Sequence, residues 1–360
     1  VEAAGPLLRV QARARTGPPS KPDQWRKALI LGDNHIGDLL YRSASLERLK
    51  SGLPQCEFHY LTAPDSAQVI EGNPALAAIH PWLRSDSPLD LAPEHFAALR
   101  EMRFDVAIST NCIRYWPEHL LAIRLGIPNR VGYEYKGFSG WITRPIPIRY
   151  PQAFACYFRD YVAALTAQKP DWPPRPIIYA TERDRLDAGA LWTSLDRGKP
   201  VTACFPLSRQ RTGVWPVSRF GETLRALRQK CDTHILLCGA SGDEPVLSGI
   251  SKQFGLDADI VAGSLNIRAL SCFMRQCAVV LTADSGPRHI ANAAGVRVFF
   301  VRNVWFNAVE AGVYVETETD LCGPPHDGRR GDGTALLAAI EPEKAASVLA
   351  AALAKKSYVP

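Results

Sequence analysis

The chain has 360 residues, 46% of them hydrophobic and 22% charged, a formal net charge of +6 and nine cysteines. That length exceeds one ordinary domain, and the apolar share is enough for large cores, which excludes an intrinsically disordered protein. The charge is too small for a dedicated nucleic-acid binder, no apolar run approaches the roughly 20 residues of a membrane span, and cysteines without a Cys-x-x-Cys pair suggest neither a disulfide framework nor a zinc site.

The first thirty residues carry Arg9, Arg13, Arg15, Lys21, Arg26 and Lys27 against Glu2 and Asp23, with prolines at 6, 18, 19 and 22. Residues 1–26 are therefore expected to be a flexible basic arm. A solvated tail and a contact with an anionic membrane surface are both open readings of it. The start, Val1 to Pro6, lacks the charged-then-apolar order of a secretory signal, and scattered cysteines suit a reducing compartment, so a cytoplasmic protein is expected.

Residues 27–170 read as a first α/β half. Ala28–Leu31, Phe58–Leu61, Phe104–Ile108 and Arg130–Tyr133 are predicted strands; helices are predicted at Asp38–Leu53, Phe96–Met102 and His119–Leu125. The proline-dense stretch Gln168 to Pro176 reads as a linker. Residues 171–340 repeat the alternation, with strands at Val201–Phe205, His234–Cys238, Asp259–Ala262, Ala278–Leu281 and Val296–Val301. Helices are predicted near Phe220–Gln229, Glu244–Phe254 and Arg268–Arg275, a loop from Cys322 to Thr334, and a last helix over Glu343–Lys355. Residues 341–360, carrying that helix, are expected to pack back on the first half. Such alternation implies doubly wound parallel sheets, which bind ligands at the carboxyl ends of their strands.

Two turns stand out at such strand ends. Thr282-Ala283-Asp284-Ser285-Gly286-Pro287-Arg288-His289 joins an apolar strand to a short helix closed by Gly295. Free N–H groups and the positive end of a helix dipole make that place suitable for phosphate or pyrophosphate, with Arg288 and His289 as added side-chain donors. An ordinary strand-to-helix turn is the alternative. In the first half, Asp33-Asn34-His35-Ile36-Gly37-Asp38 follows the first strand. Gly37 permits a close approach to a ligand, and Asp38 is either a first-turn helix acid or a general base. Trp215 reads as a core anchor, with a ligand stack as its alternative.

Taken together, His35–Leu40 and Asp284–His289 resemble the two signatures of glycosyltransferase family 9, the ADP-heptose:lipopolysaccharide heptosyltransferases and their relatives. Glu71-Gly72-Asn73-Pro74, Val201–Leu207 followed by Trp215-Pro216, Leu237–Ala240 and Val261–Leu265 add to the likeness, which runs in order from about residue 27 to 354. The resemblance implies a GT-B fold, two Rossmann-like domains facing a central cleft, the first for acceptor and the second for nucleotide sugar. It implies an inverting transfer with Asp38 as the base. Asp284, Ser285, Gly286 and His289 would hold the donor diphosphate, and Ser208 would touch phosphate. Glu244, with Asp243 as rival, would meet the ribose, and Leu265 the adenine. On the acceptor side, Gly37, Arg114, Arg130 and Lys136 would suit a phosphorylated glycolipid core, the alternative for each cation being a solvated surface charge.

The family usually carries a lysine two residues before the tryptophan, where this chain has Gly213; Arg209 or Arg211 would replace its charge. Gly32 and Asn34 likewise stand where the family often has arginine and aspartate. The partners implied are a nucleotide-sugar donor and an anionic glycolipid or cell-envelope glycan, with no nucleic acid, no metal and no cofactor. The enzyme is expected at the cytoplasmic face of the inner membrane. A bilobed nucleotide-sugar-binding protein without transfer activity, or another GT-B-like nucleotide-sugar enzyme, is the rival reading.

Overall fold

Short, continuous apolar runs become strands here because both faces of each sheet are covered, as parallel sheets require. The computed structural model describes residues 18–32, 35–82, 88–111, 116–134, 140–195, 198–209, 213–304, 308–322 and 337–355. The chain divides into two units, Val1–Pro174 and Arg175–Pro360.

In the first unit the described elements are β1 (Lys27–Leu31), α1 (Ile36–Gly52), β2 (Glu57–Leu61), α2 (Pro64–Ala67), β3 (Leu76–His80), α3 (Pro93–Glu101), β4 (Val106–Ser109), α4 (Trp116–Arg124), β5 (Asn129–Tyr133), β6 (Arg144–Ile146) and α5 (Phe154–Thr166). The strands pair in parallel in the order β3-β2-β1-β4-β5-β6. Leu29, Leu31, Leu61, Ala107 and Leu121 form part of one buried cluster on this sheet.

The second unit contains α6 (Glu182–Leu195), β7 (Val201–Phe205), α7 (Val217–Lys230), β8 (His234–Gly239), α8 (Glu244–Phe254), β9 (Asp259–Ala262), α9 (Ile267–Met274), β10 (Val279–Ala283), α10 (Gly286–Ala294), β11 (Val298–Val301), β12 (Glu318–Asp320) and α11 (Pro342–Ala354). Its sheet is again parallel, in the order β12-β11-β10-β7-β8-β9. Numbered within each unit, both sheets have the order 3-2-1-4-5-6 of a Rossmann fold. The order reverses between β1 and β4 in one sheet and between β7 and β10 in the other, and such a switch point is where ligands bind.

Three expectations need correction. Residues 20–26 are no loose arm: Trp25 is 1% exposed, Ser20 N–H donates to Asn129 Oδ1 at 2.8 Å, and Arg26 N–H donates to Asp105 Oδ2 at 2.8 Å. An indole inside the core and backbone bonds to the start of the sheet fix this segment; residues 1–17 lie outside the described ones. The first unit extends past residue 170, because Trp172 is buried against α1, with its Nε1 donating to Ser45 Oγ at 3.0 Å. The C-terminal helix, expected on the first unit, packs within the second. Ala345, Ala346 and Leu349 of α11 lie in the same buried cluster as Leu224 and Leu227 of α7, inside the second unit.

Candidate functional site

In the first unit the site begins where β1 ends. Helix α1 opens after His35, and its first turn contains Ile36, Gly37 and Asp38. Arg42, one turn later, is buried and ties that turn to the end of β4. Its Nη1 donates to Asp38 O at 2.5 Å, its Nε to Thr110 Oγ1 at 2.7 Å and its Nη2 to Thr110 O at 2.9 Å. Thr110 Oγ1 in turn lies 3.1 Å from Leu31 O. Asp38 is thus carried on a backbone turn fixed to both strands of the switch point. Gly32 has a steric reason: a Cβ there would lie 2.5 Å from both Thr110 Oγ1 and Tyr60 Oη. Any side chain at that position would have to displace both hydroxyls.

The acceptor-side cations fare differently. Arg130 is 2% exposed, and its guanidinium donates to Trp141 O at 2.6 Å, Ile127 O at 2.8 Å and Pro128 O at 3.0 Å. Burial lowers its pKa to about 10, so it stays charged while serving as an internal brace for the β5–β6 connection. It is neither a cation facing an acceptor nor a solvated surface charge. Arg114 and Lys136 lie outside the described residues, as do Asp33 and Asn34.

In the second unit the turns after β7, β8, β9 and β10 carry the donor-side candidates. Ser208 is half-buried and Arg209 exposed just past β7; Arg211 lies outside the described residues. Gly213 adopts φ 69°, and its carbonyl accepts from Val304 N–H at 3.1 Å. A side chain in this left-handed region is strained, so the backbone itself disfavours a lysine here. Trp215 is a core anchor, 1% exposed and edge-on to Phe220 with ring centroids 4.9 Å apart.

After β8, the two rival carboxylates separate by role. Asp243 Oδ2 accepts Ala240 N–H at 2.7 Å, which closes the turn. Glu244 starts α8 with its side chain exposed. Gly263, at φ 66°, lets the turn after β9 touch the turn after β8: a Cβ there would lie 2.7 Å from Ser241 backbone atoms. Leu265 is half-buried in that second turn. The turn is anchored by Asp184, which accepts from Asn266 Nδ2 at 2.8 Å, Arg268 Nε at 3.0 Å and Thr181 Oγ1 at 2.6 Å. Burial raises the Asp184 carboxyl, but the Thr181 and Asn266 hydrogen bonds and the Arg268 charge outweigh it and lower its pKa to about 2.

The turn after β10 is the most organised. Ser285 is the N-cap of α10, and Gly286 and Pro287 are its first residues; Gly295, at φ 76°, closes the helix as expected. Asp284 Oδ1 accepts from Arg288 Nη1 at 2.9 Å, so this carboxylate braces the turn. Arg288 departs from expectation. It is 0% exposed, pairs through Nε and Nη2 with Glu318 at 2.6 and 3.0 Å, and donates to Ala311 O and Gly312 O at 2.7 and 2.6 Å. Its guanidinium also stacks on Phe300 at 3.5 Å. With every nitrogen engaged inside the protein, Arg288 is no phosphate donor. His289 is 4% exposed, with Nδ1 2.8 Å from Tyr314 Oη. Burial first, and the Arg288 charge second, push its pKa well below the ordinary value, so the ring is neutral at neutral pH.

Arg42, Asp184, Tyr314 and Glu318 escaped the sequence reading. For Asp184 a signal existed: Thr181-Glu182-Arg183-Asp184 is a capping-box pattern, and both of its bonds form, Thr181 N–H to Asp184 Oδ2 at 2.8 Å and Asp184 N–H to Thr181 Oγ1 at 3.2 Å. The partners of Arg288 and His289 lie 30 and 25 positions away, Glu318 at the start of the short strand β12 and Tyr314 in the loop before it, where no local pattern marks them.

The comparisons with known proteins agree with this fold. No curated protein matches the sequence. Among solved structures, a glycosyl transferase family 9 protein from Veillonella parvula DSM 2008 superposes with a TM-score of 0.74 at 17% identity, over 93% of this chain and 99% of that one. E. coli ADP-heptose lps heptosyltransferase II gives 0.70 at 17% identity, over 91% and 98%. E. coli heptosyltransferase WaaC with ADP-2-deoxy-2-fluoro heptose gives 0.59 at 17% identity, over 82% and 92%. The fold is that of these GT-B proteins. The model of glycosyltransferase family 9 (heptosyltransferase) matches residues 93–300, and the chain belongs to that family as a heptosyltransferase-like glycosyltransferase.

Proposed function

We propose that the enzyme is an inverting glycosyltransferase that moves a heptose from an ADP-linked donor to a hydroxyl of a lipopolysaccharide core at the cytoplasmic face of the inner membrane. The observation that carries the donor half is the turn after β10, where the N-terminus of α10 and the neutral His289 stand at the switch point of the second sheet. Glu244, exposed at the start of α8, is the carboxylate for the ribose, because Asp243 is spent on its own turn. Leu265 packs on the base, and Ser208, Ser285 and Gly286 meet phosphate oxygens.

The chemistry follows. Asp38 takes the proton of the acceptor hydroxyl as that oxygen bonds to the anomeric carbon from the face opposite the leaving group. The bond from carbon to phosphate oxygen breaks, and its electrons leave with the nucleoside diphosphate. Since Arg288 is occupied, the departing charge is met by helix N–H groups, the His289 ring and Arg209 or Arg211. Gly37 lets the acceptor approach, with Arg114 and Lys136 toward its phosphates. Among the described residues, no helix is long and apolar enough to cross a membrane. The basic residues Arg9, Arg13 and Arg15 would give peripheral contact with an anionic membrane face.

The support for heptose and ADP is the chemistry in the names of the structural relatives, a lipopolysaccharide heptosyltransferase and one bound to an ADP-heptose analogue. A thermal-shift screen of the full chain against ADP-, UDP-, GDP- and CMP-sugars tests it. Selective stabilisation by the ADP-sugars is expected; selection of another base overturns the donor assignment.

A further inference from the structure

At the carboxyl end of β11, one strand beyond the Asp284–Ser285 turn, stands a buried arginine with most of its donors unused. Arg302 is 2% exposed, and among the described residues its side chain makes one hydrogen bond, from Nε to Asp320 Oδ2 at 2.9 Å. Its Nη2 is buried with no partner. Other buried arginines differ: Arg42 and Arg288 each engage Nε, Nη1 and Nη2 within the protein. A buried donor without an acceptor is costly, and folded proteins keep few of them. The Asp320 side chain is 14% exposed, so the pair lies just below the solvent boundary.

Asp320 also limits what can bind there. Its Oδ1 accepts Cys322 N–H at 2.8 Å and its Oδ2 accepts Arg302 Nε, so the pair carries no net charge. A phosphate or carboxylate would add an unbalanced charge to it, whereas a hydroxyl oxygen would not. Neighbouring contacts tie Arg302 to the donor side. Asp284 N–H donates to Val301 O at 3.0 Å, and Asn303 N–H lies 3.4 Å from Asp284 Oδ2. The Arg302 side chain lies on the sheet face that α10 covers: Phe300, two positions earlier, carries the Arg288 guanidinium at 3.5 Å and is paired with Asp320 across β11 and β12.

The donor reading given above puts the base after β9, the ribose after β8 and the diphosphate after β10. Across the sheet these strands run β9-β8-β7-β10-β11, about 4.8 Å apart, so a nucleotide sugar laid along their ends brings its sugar to β11. We propose that Arg302 is a specificity-determining residue for the donor: its Nη groups donate to hydroxyl oxygens of the transferred sugar, while Asp320 holds the guanidinium plane. This rests on that donor reading.

Calorimetry on the full chain with ADP and with ADP-heptose tests it. The parent should bind ADP-heptose more tightly than ADP. Arg302→Lys keeps the charge beside Asp320 but loses the planar donor pair. It should weaken ADP-heptose binding by about 3- to 10-fold, the worth of one hydrogen bond, and change binding of ADP, which lacks the heptose, by less than about twofold. Arg302→Gln combined with Asp320→Asn removes both charges together and should give the same split, which covers a lysine variant that fails to fold. Equal weakening of both ligands means that Arg302 acts on the fold, and unchanged ADP-heptose affinity means that its partner is water; either result overturns the proposal. A parent that binds ADP and ADP-heptose equally overturns it too, while leaving the nucleotide reading intact. A parent that binds neither ligand fails the donor reading itself, and the proposal with it.

Discussion

Both carboxylate oxygens of Glu318 are met by Arg288, Nε at 2.6 Å from one and Nη2 at 3.0 Å from the other, and neither side chain is exposed to solvent. A buried pair of this kind adds little over an apolar pair, but removing Glu318 leaves the buried Arg288 charge with only Asp284, at 2.9 Å, to balance it. Glu318→Ala should therefore destabilise the second unit by about 3–5 kcal/mol. Urea unfolding followed by tryptophan fluorescence measures it; a loss below about 1 kcal/mol would show that Asp284 alone can balance Arg288.

A second buried carboxylate sets an acid limit. Asp184 titrates in the folded protein at about 2, below the ordinary carboxylate value of 3.8. A depressed pKa means that its stabilisation is fully present above pH 4 and disappears as the pH falls toward 2. Asp184→Asn should be less stable than the parent at pH 6, and the gap should narrow as the pH drops through that window. Unfolding midpoints at pH 6, 4 and 3 read it directly. A gap independent of pH would mean that the loss comes from packing and not from the charge.

Gly213 answers why this chain lacks the family's usual lysine there. At φ 69° a side chain costs roughly 1–2 kcal/mol, so Gly213→Ala should lower stability by about that amount. Gly213→Lys should do the same and give no gain in ADP affinity, whereas Arg209→Ala or Arg211→Ala should weaken ADP binding by about 10-fold or more, as the loss of a charged hydrogen bond does. Tighter ADP binding by Gly213→Lys would show that the loop accepts the lysine after all.

The strands were legible because parallel strands are written as unbroken apolar runs: Ala28–Leu31 and Val201–Phe205 were found within a residue of their bounds. Among the edge strands, β9 was legible as Asp259–Ala262, whereas β3, β6 and β12 were not, since an edge can carry fewer apolar residues and Arg144-Pro145-Ile146 resembles a loop. Helix α6 went unread because it buries only Asp184 and Ala188, too few for a periodic stripe. Helix α5 does carry a legible pattern, Tyr157, Tyr161 and Leu165 at helical spacing, which the expectations above omit. At the site, backbone turns were readable from Gly, Asp and Pro. Side-chain roles were not: Arg130 and Arg288 look like any surface cations until their partners, brought from elsewhere in the fold, enclose them.

Turnover should survive removal of divalent ions. The scheme balances the leaving diphosphate with helix N–H groups, His289 and the arginines after β7, and among the described residues no three His, Cys, Asp or Glu side chains cluster as a metal site. Transfer assayed after exhaustive chelation, then with added Mg²⁺, should differ by less than about twofold. Abolition by chelation with full rescue by the ion would require a metal at the diphosphate and a different charge scheme.

The central claim is that Asp38 is the base of a glycosyl transfer and takes no part in holding the nucleotide. ADP release from ADP-heptose, with and without lipopolysaccharide core acceptor, should be compared in the parent and Asp38→Asn, alongside ADP affinity by calorimetry. The expected result is acceptor-dependent release in the parent, a fall of about 10²- to 10⁴-fold in the variant, and unchanged ADP affinity. Acceptor-dependent turnover in Asp38→Asn close to that of the parent would contradict the account.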